Sequence, residues 1–172
     1  MAGERGLDGD LGRLLVANFA HHDDVWIGTQ ESAQRLVRRL CSHCLVAKPL
    51  ADAQRDELLE DYLAVYDADK RPKEDEVLAS WMERFGHEGK LMYHGARGCR
   101  ACDNLGFKGR TGLHELLTVT RALRRVIQSG GRIDQVLSVA LDEGMHTLRQ
   151  DGIEKVLAGL TTIEEVRATS NV

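Results

Sequence analysis

The chain has 172 residues, 42% hydrophobic and 29% charged, which suits a soluble globular protein of one domain or two small ones. A formal net charge of -4 gives no basic footprint for nucleic acid. No apolar run approaches the roughly 20 residues that span a bilayer, and "MAGERGLDGD" lacks a signal-peptide core, so a cytoplasmic setting is expected.

Residues 1–10 are Gly-rich and acidic. "LGRLLVANFA" then places Leu11, Leu14, Leu15 and Phe19 on one helical face, and "HHDDVWIGTQ" breaks the pattern. "ESAQRLVRRL" predicts a helix with Ala33, Leu36, Val37 and Leu40 on one side and Arg35, Arg38 and Arg39 largely elsewhere. "ADAQRDELLEDYLAVYDA" predicts a helix whose stripe is Leu58, Tyr62, Val65 and Tyr66 and whose other face is acidic. "EDEVLASWMERFG" predicts another, with Val77, Leu78, Trp81, Met82 and Phe85 inward and Gly86 as its stop.

"KLMYHGARGC" and "RTGLHELLTV" are short, bounded by glycines and strand-like, and they suggest the two sides of one hairpin. The remainder is helical. "RALRRVIQS" groups Leu123, Val126 and Ile127, with Thr120 as N-cap and Gly130-Gly131 as terminator. "IDQVLSVALDE" follows. "MHTLRQDGIEKVLAGL" groups Met145, Leu148, Val156 and Leu160, and "TTIEEVRA" opens with a capping box from Thr161 to Glu164.

The four cysteines form two Cys-x-x-Cys pairs, Cys41 with Cys44 and Cys99 with Cys102. In a reducing compartment such spacing serves metal or redox chemistry more often than disulfides. Two such turns can close a tetrahedral zinc site, their backbone N–H groups donating to the sulfurs. Gly98, Ala101, Gly106 and Gly109 let the second pair bend tightly, while Leu45 and Val46 extend the chain after the first. The 54 residues at positions 45–98 exceed the roughly 15–20 of a compact zinc ribbon. Two helices inserted between the knuckles account for the excess.

Other readings stay open beside a zinc site. The thiols can pack as small hydrophobes. A redox pair is disfavoured by the lack of thioredoxin-like context. A Cys/His site would use His43, which sits inside the first knuckle where it competes with the cysteines' geometry. With four thiolates the zinc is structural, because no position is left for water or substrate.

No phosphate loop is present, since "GHEGKL" has the wrong spacing and no hydroxyl after Lys90. There is no Gly-x-Ser-x-Gly elbow, and "HELL" at 114–117 lacks the second histidine of a zincin. "HHDD" at 21–24 reads as exposed polar chain more than as a metal site. Arg35, Arg38 and Arg39, and again Arg121, Arg124 and Arg125, read as solvated helix faces that can also meet a partner. No catalytic residues are assigned.

"AQRLVRRLCSHC", "GCRACDNLGFKGRTGLHELL" and "GMHTLRQDGIEKVLAGLTTIEEV" resemble, in order, the C-terminal part of the GspE/PilB-type ATPases of type II secretion and type IV pilus assembly. The resemblance covers about residues 32–169. By position it makes Cys41, Cys44, Cys99 and Cys102 the ligands of one zinc ion. It brings no nucleotide-contacting residue, because the phosphate loop, Walker B region and arginine fingers of that family have no counterpart here.

The resemblance implies a chain, either an excised fragment or a member with an unusual upstream region, that works beside the remainder of a hexameric motor and contacts an inner-membrane platform protein, without membrane insertion or nucleic acid. The expected fold is α+β, mainly α: a small β-hairpin, a tetracysteine zinc site joining two knuckles, and a C-terminal helical bundle. The expected division is 1–31 unassigned, 32–118 zinc-binding with inserted helices, and 119–172 helical. The expected function is a non-catalytic zinc-binding region of a secretion or pilus ATPase, and the alternative is a nucleic-acid-binding zinc module.

Overall fold

The computed structural model describes residues 31–170. The expected helix at 11–19 and the His/Asp cluster at 21–24 lie outside the described residues. In chain order the elements are β1 (Glu31–Leu40), β2 (Leu45–Pro49), α1 (Asp52–Leu63), α2 (Glu74–Phe85), β3 (Met92–Ala96), a 3₁₀ turn (Arg100–Cys102), β4 (Phe107–Leu117), α3 (Arg121–Gln128), α4 (Ile133–Asp142), α5 (Leu148–Leu157) and α6 (Ile163–Ser170). The class is α+β. Among the described residues no helix is long and apolar enough to cross a membrane.

Two expectations are corrected. "ESAQRLVRRL" is a strand, β1, not a helix. Its apolar spacing fits a helix, but distant partners claim its backbone: Leu40 N–H donates to Leu160 O at 2.9 Å, Arg38 N–H to Glu165 Oε2 at 3.1 Å, and Thr161 Oγ1 to Arg38 O at 2.8 Å. Tertiary hydrogen bonding overrides a weak local preference here. Val37 is buried, while Leu36 is 58% exposed, so neighbours point to opposite sides as in a strand.

The expected hairpin does not form either. β3 pairs with β2, and β4 pairs with β1, in two separate two-stranded sheets. The β2–β3 ladder is antiparallel, from Leu45↔Ala96 to Pro49↔Met92. Each strand that flanks the second knuckle therefore pairs with one that flanks the first.

Local chemistry starts and stops the helices. Glu74, Asp75 and Glu76 sit in the first turn of α2, where carboxylates favour the positive end of the helix dipole. Gly86 N–H closes that helix on Met82 O at 3.0 Å. The hydroxyl of Thr120 accepts the Leu123 N–H at 3.2 Å, the expected cap of α3. Thr147 and Gln150 form a reciprocal capping box on α5. The box expected from Thr161 is displaced: α6 begins at Ile163, and the Thr161 hydroxyl donates to Arg38 O instead.

The chain divides into two compact units. One comprises 34–114 and 147–170, and the other includes 115–146. In the first, Leu58, Leu59, Tyr62 and Leu63 of α1 meet Trp81 of α2, Leu91, and Ile153 and Leu157 of α5. Tyr62 and Trp81 pack edge-on, with centroids 5.2 Å apart. Met82, expected inward, is 39% exposed, because Trp81 takes the buried position on α2. A second cluster joins Val37, Leu113, Val156 and Val166. Helix α5 serves both clusters through adjacent positions, so it braces the knuckle-bearing strands and the inserted helices together. Each large side chain so buried contributes roughly 1.5–3 kcal/mol. In the other unit α3 packs with α4, and Leu123, Val136, Ala140 and Leu141 are buried.

Candidate metal centre

The first knuckle turns immediately after β1. Cys44 N–H donates to Cys41 O at 3.2 Å, and Cys41 N–H donates to Gly106 O of the second knuckle at 2.9 Å. Arg97 N–H returns the contact by donating to Cys44 O at 3.1 Å. The two turns are thus joined by backbone hydrogen bonds as well as by the two sheets.

The second knuckle is a tighter bend. Cys102 N–H and Asn104 N–H both donate to Cys99 O, at 3.1 and 2.9 Å. Asp103 and Asn104 take left-handed conformations, with φ of 50° and 61°, which short polar side chains tolerate best among non-glycine residues. Gly98 has φ of +86°, and a Cβ there would lie 2.6 Å from Asn104 O. Gly106, at +76°, passes close to Ala96. Both positions need glycine for conformation and for space.

These turns bring all four sulfurs together. The Sγ atoms of Cys41, Cys44, Cys99 and Cys102 lie within 4.8 Å of one another, and the group can hold a metal ion. Individual separations are 3.9 Å for Cys41–Cys99, 3.8 Å for Cys44–Cys102 and 3.8 Å for Cys99–Cys102. All four are free thiols. The distances are far from the roughly 2.05 Å of a disulfide.

Electrostatics differ around the ring of sulfurs. Burial disfavours the Cys102 thiolate, but the N–H groups of Cys99 and Gly106, each 3.3 Å from its Sγ, together with the Cys99 and Cys44 thiols, outweigh it and lower the thiol to about 7. Burial pushes the Cys44 thiol up to about 12. His43 is exposed and stands outside the group.

The long gap between the pairs is spanned by β2, α1, α2 and β3, with the two strands returning the chain to its starting point. Sequence reasoning missed the part played by Arg38 and by the C-terminal helices. Arg38 stacks over Phe107 at 4.4 Å and pairs with Glu165 of α6 at 2.5 Å, tying the strand that delivers Cys41 to α6. Only the heavy Arg content of "RLVRRL" hinted at such a tie.

The family model described as "Type II/IV secretion system protein" matches residues 31–168. The type IV pilus assembly ATPase PilB of Thermus thermophilus is 34% identical over 136 residues, 79% of this chain and 13% of that protein. The type II secretion system protein E of Pectobacterium carotovorum is 35% identical over 136 residues, 78% of this chain and 21% of its own length. The type II secretion system ATPase E of Vibrio cholerae is 34% identical over 135 residues, 78% and 22% respectively. The chain therefore spans between an eighth and a quarter of the length of these relatives. With that coverage and that identity, the chain belongs to the type II/IV secretion system protein family of GspE/PilB-type ATPases.

Proposed function

We propose that this chain is a non-catalytic, zinc-binding region of a secretion or pilus assembly ATPase, with Cys41, Cys44, Cys99 and Cys102 holding one structural zinc ion. The spacing of the sulfurs carries the reading. A tetrahedron of thiolates about 2.3 Å from zinc has edges of about 3.8 Å; three of the six sulfur separations are 3.8–3.9 Å, and all six are within 4.8 Å. The N–H donors on Cys102 favour the thiolate such a site requires. When bound, the ion supplies charge neutralisation and a cross-link between the knuckles, and no ligand position is left for reaction chemistry.

On this reading residues 32–118 form the zinc-binding part with its inserted helices, and 119–172 a C-terminal helical bundle. The chain acts with the remainder of a hexameric motor, in the cytoplasm at the inner-membrane face. The knuckle transmits load to the platform protein because zinc fixes its hairpin-free junction against local melting. Nucleotide hydrolysis belongs to the rest of the motor.

Metal analysis of the purified chain tests this. One zinc per chain is expected, with Cys99→Ser losing most of it and the remaining thiols becoming reactive to a thiol reagent. Unchanged metal content in Cys99→Ser, or ATP hydrolysis by the chain alone, counts against the reading.

A further inference from the structure

The sulfurs of the metal centre differ in exposure. Cys41 and Cys102 are buried, whereas Cys44 and Cys99, one on each knuckle, are partly exposed. Bound to zinc, all four are thiolates, the form that attacks an oxidant. An oxidant arriving from solvent therefore meets Cys44 or Cys99 first.

Each partly exposed sulfur has a buried one from the opposite knuckle beside it. Cys41 lies 3.9 Å from Cys99, and Cys102 lies 3.8 Å from Cys44. Cys99 and Cys102 are also 3.8 Å apart. Of these three approaches, only the two that cross between knuckles together use every cysteine once. Both gaps are wider than the roughly 2.05 Å of a bonded pair, by an amount on the scale of a change of side-chain rotamer. The backbone holds the knuckles in place meanwhile. Cys41 N–H is bonded to Gly106 O at 2.9 Å and Arg97 N–H to Cys44 O at 3.1 Å, and the β1–β4 and β2–β3 pairs join the flanking strands.

We propose that the four cysteines form a redox switch: a peroxide converts them to Cys41–Cys99 and Cys44–Cys102 disulfides, which give up zinc yet keep the knuckles covalently joined. The switch rests on the zinc-binding role proposed for these residues. The Cys99 thiolate attacks one peroxide oxygen; an S–O bond forms, the O–O bond breaks, and hydroxide leaves with the bonding pair. The Cys41 thiolate then attacks the Cys99 sulfur; an S–S bond forms, the S–O bond breaks, and a second hydroxide leaves. The two sulfurs lose two electrons, the peroxide gains them, and solvent protons turn both hydroxides into water. Cys44 and Cys102 repeat the sequence with a second peroxide. Disulfide sulfurs are not the thiolate ligands that zinc needs, so the ion is lost. A dithiol reductant restores the four thiols by exchange.

Hydrogen peroxide added to the zinc-loaded chain tests the proposal, with released zinc read by a chromophoric chelator. One zinc is expected for every two peroxides consumed, and dithiothreitol should then restore zinc binding in full. Trypsin cuts between Cys99 and Cys102, at Arg100, but has no site between Cys41 and Cys44. Peptide mass mapping without reduction should therefore show one three-peptide assembly linking the knuckles, and fragmentation should assign Cys41–Cys99 and Cys44–Cys102. The oxidised chain should also melt above reduced chain stripped of zinc by a chelator. Zinc retained through peroxide treatment overturns the switch. So do disulfides within a knuckle or in any other pairing, zinc binding that dithiothreitol fails to restore, or an oxidised chain that melts no higher than the stripped one. Metal content before peroxide tests the zinc-binding role separately. One zinc per chain, lost in Cys99→Ser, leaves that role standing whatever peroxide does, whereas a chain that holds no zinc removes both.

Discussion

Arg84 of α2 grips Glu154 of α5 with both terminal nitrogens, at 2.7 and 2.5 Å, and Tyr62 of α1 donates to the same carboxylate at 3.3 Å. Three helices far apart in sequence thus share one charge-assisted junction. Glu154 is 10% exposed and Arg84 47%, so the pair is half screened. Burial and the Glu154 charge together push the Tyr62 phenol above its ordinary range. Arg84→Ala is expected to cost about 2 kcal/mol, between an exposed pair and a fully buried one. Arg84→Met/Glu154→Met should recover part of that loss, because it removes the stranded carboxylate along with its partner. Urea unfolding midpoints of the single and double variants check both statements.

The Arg38–Glu165 pair makes a pH-dependent contribution. The Arg38 guanidinium holds the Glu165 carboxyl below its usual range. A carboxyl depressed in the folded state stabilises fully above its unfolded value of about 4.3 and stops doing so as pH falls through the folded value. Wild type should therefore melt above Glu165→Gln at neutral pH, and the two should converge in acid. Thermal melts from neutral pH downward measure this. A gap that persists unchanged at the lowest pH assigns the effect to packing.

Gly152 lets α5 and α6 approach. A Cβ at that position would lie 2.4 Å from Val166 Cγ1, and Val166 is fully buried. Alanine ordinarily gains up to about 1 kcal/mol over glycine within a helix. Here overpacking of about 1–3 kcal/mol is expected to win, so Gly152→Ala should lower stability. Val166→Ala in the same chain should relieve the clash, giving a double variant more stable than the sum of the two single effects, as read by calorimetry.

Gly98 reports on the metal centre. Gly98→Ala would force a side chain into a left-handed position against Asn104 O, at a strain of about 1–3 kcal/mol. Zinc should be surrendered to a competing chelator roughly tenfold more readily. Gly89→Ala is the control: its φ is +74° but nothing lies within 4 Å, and it stands outside the knuckles. Equal zinc retention by both variants would separate the Gly98 turn from metal binding.

Residue identity alone disclosed much of this chain. The paired cysteines, the two helices between them and the N-cap at Thr120 are local signals, each complete within a few neighbouring residues. The conformation of 31–40 and the pairing of the strands were not legible, because both depend on partners elsewhere in the chain. "ESAQRLVRRL" is compatible with a helix until Leu160, Thr161 and Glu165 bond to its backbone. Strand-like segments on either side of Cys99 and Cys102 suggest a hairpin until β1 and β2 offer each of them a different partner. Sequence determined which thiols are available and that the intervening chain carries two helices. Tertiary structure decided that the four sulfurs meet at the junction of two sheets, since a helix bonds to residues four positions away, whereas a strand's period-2 pattern does not name the distant strand it bonds to.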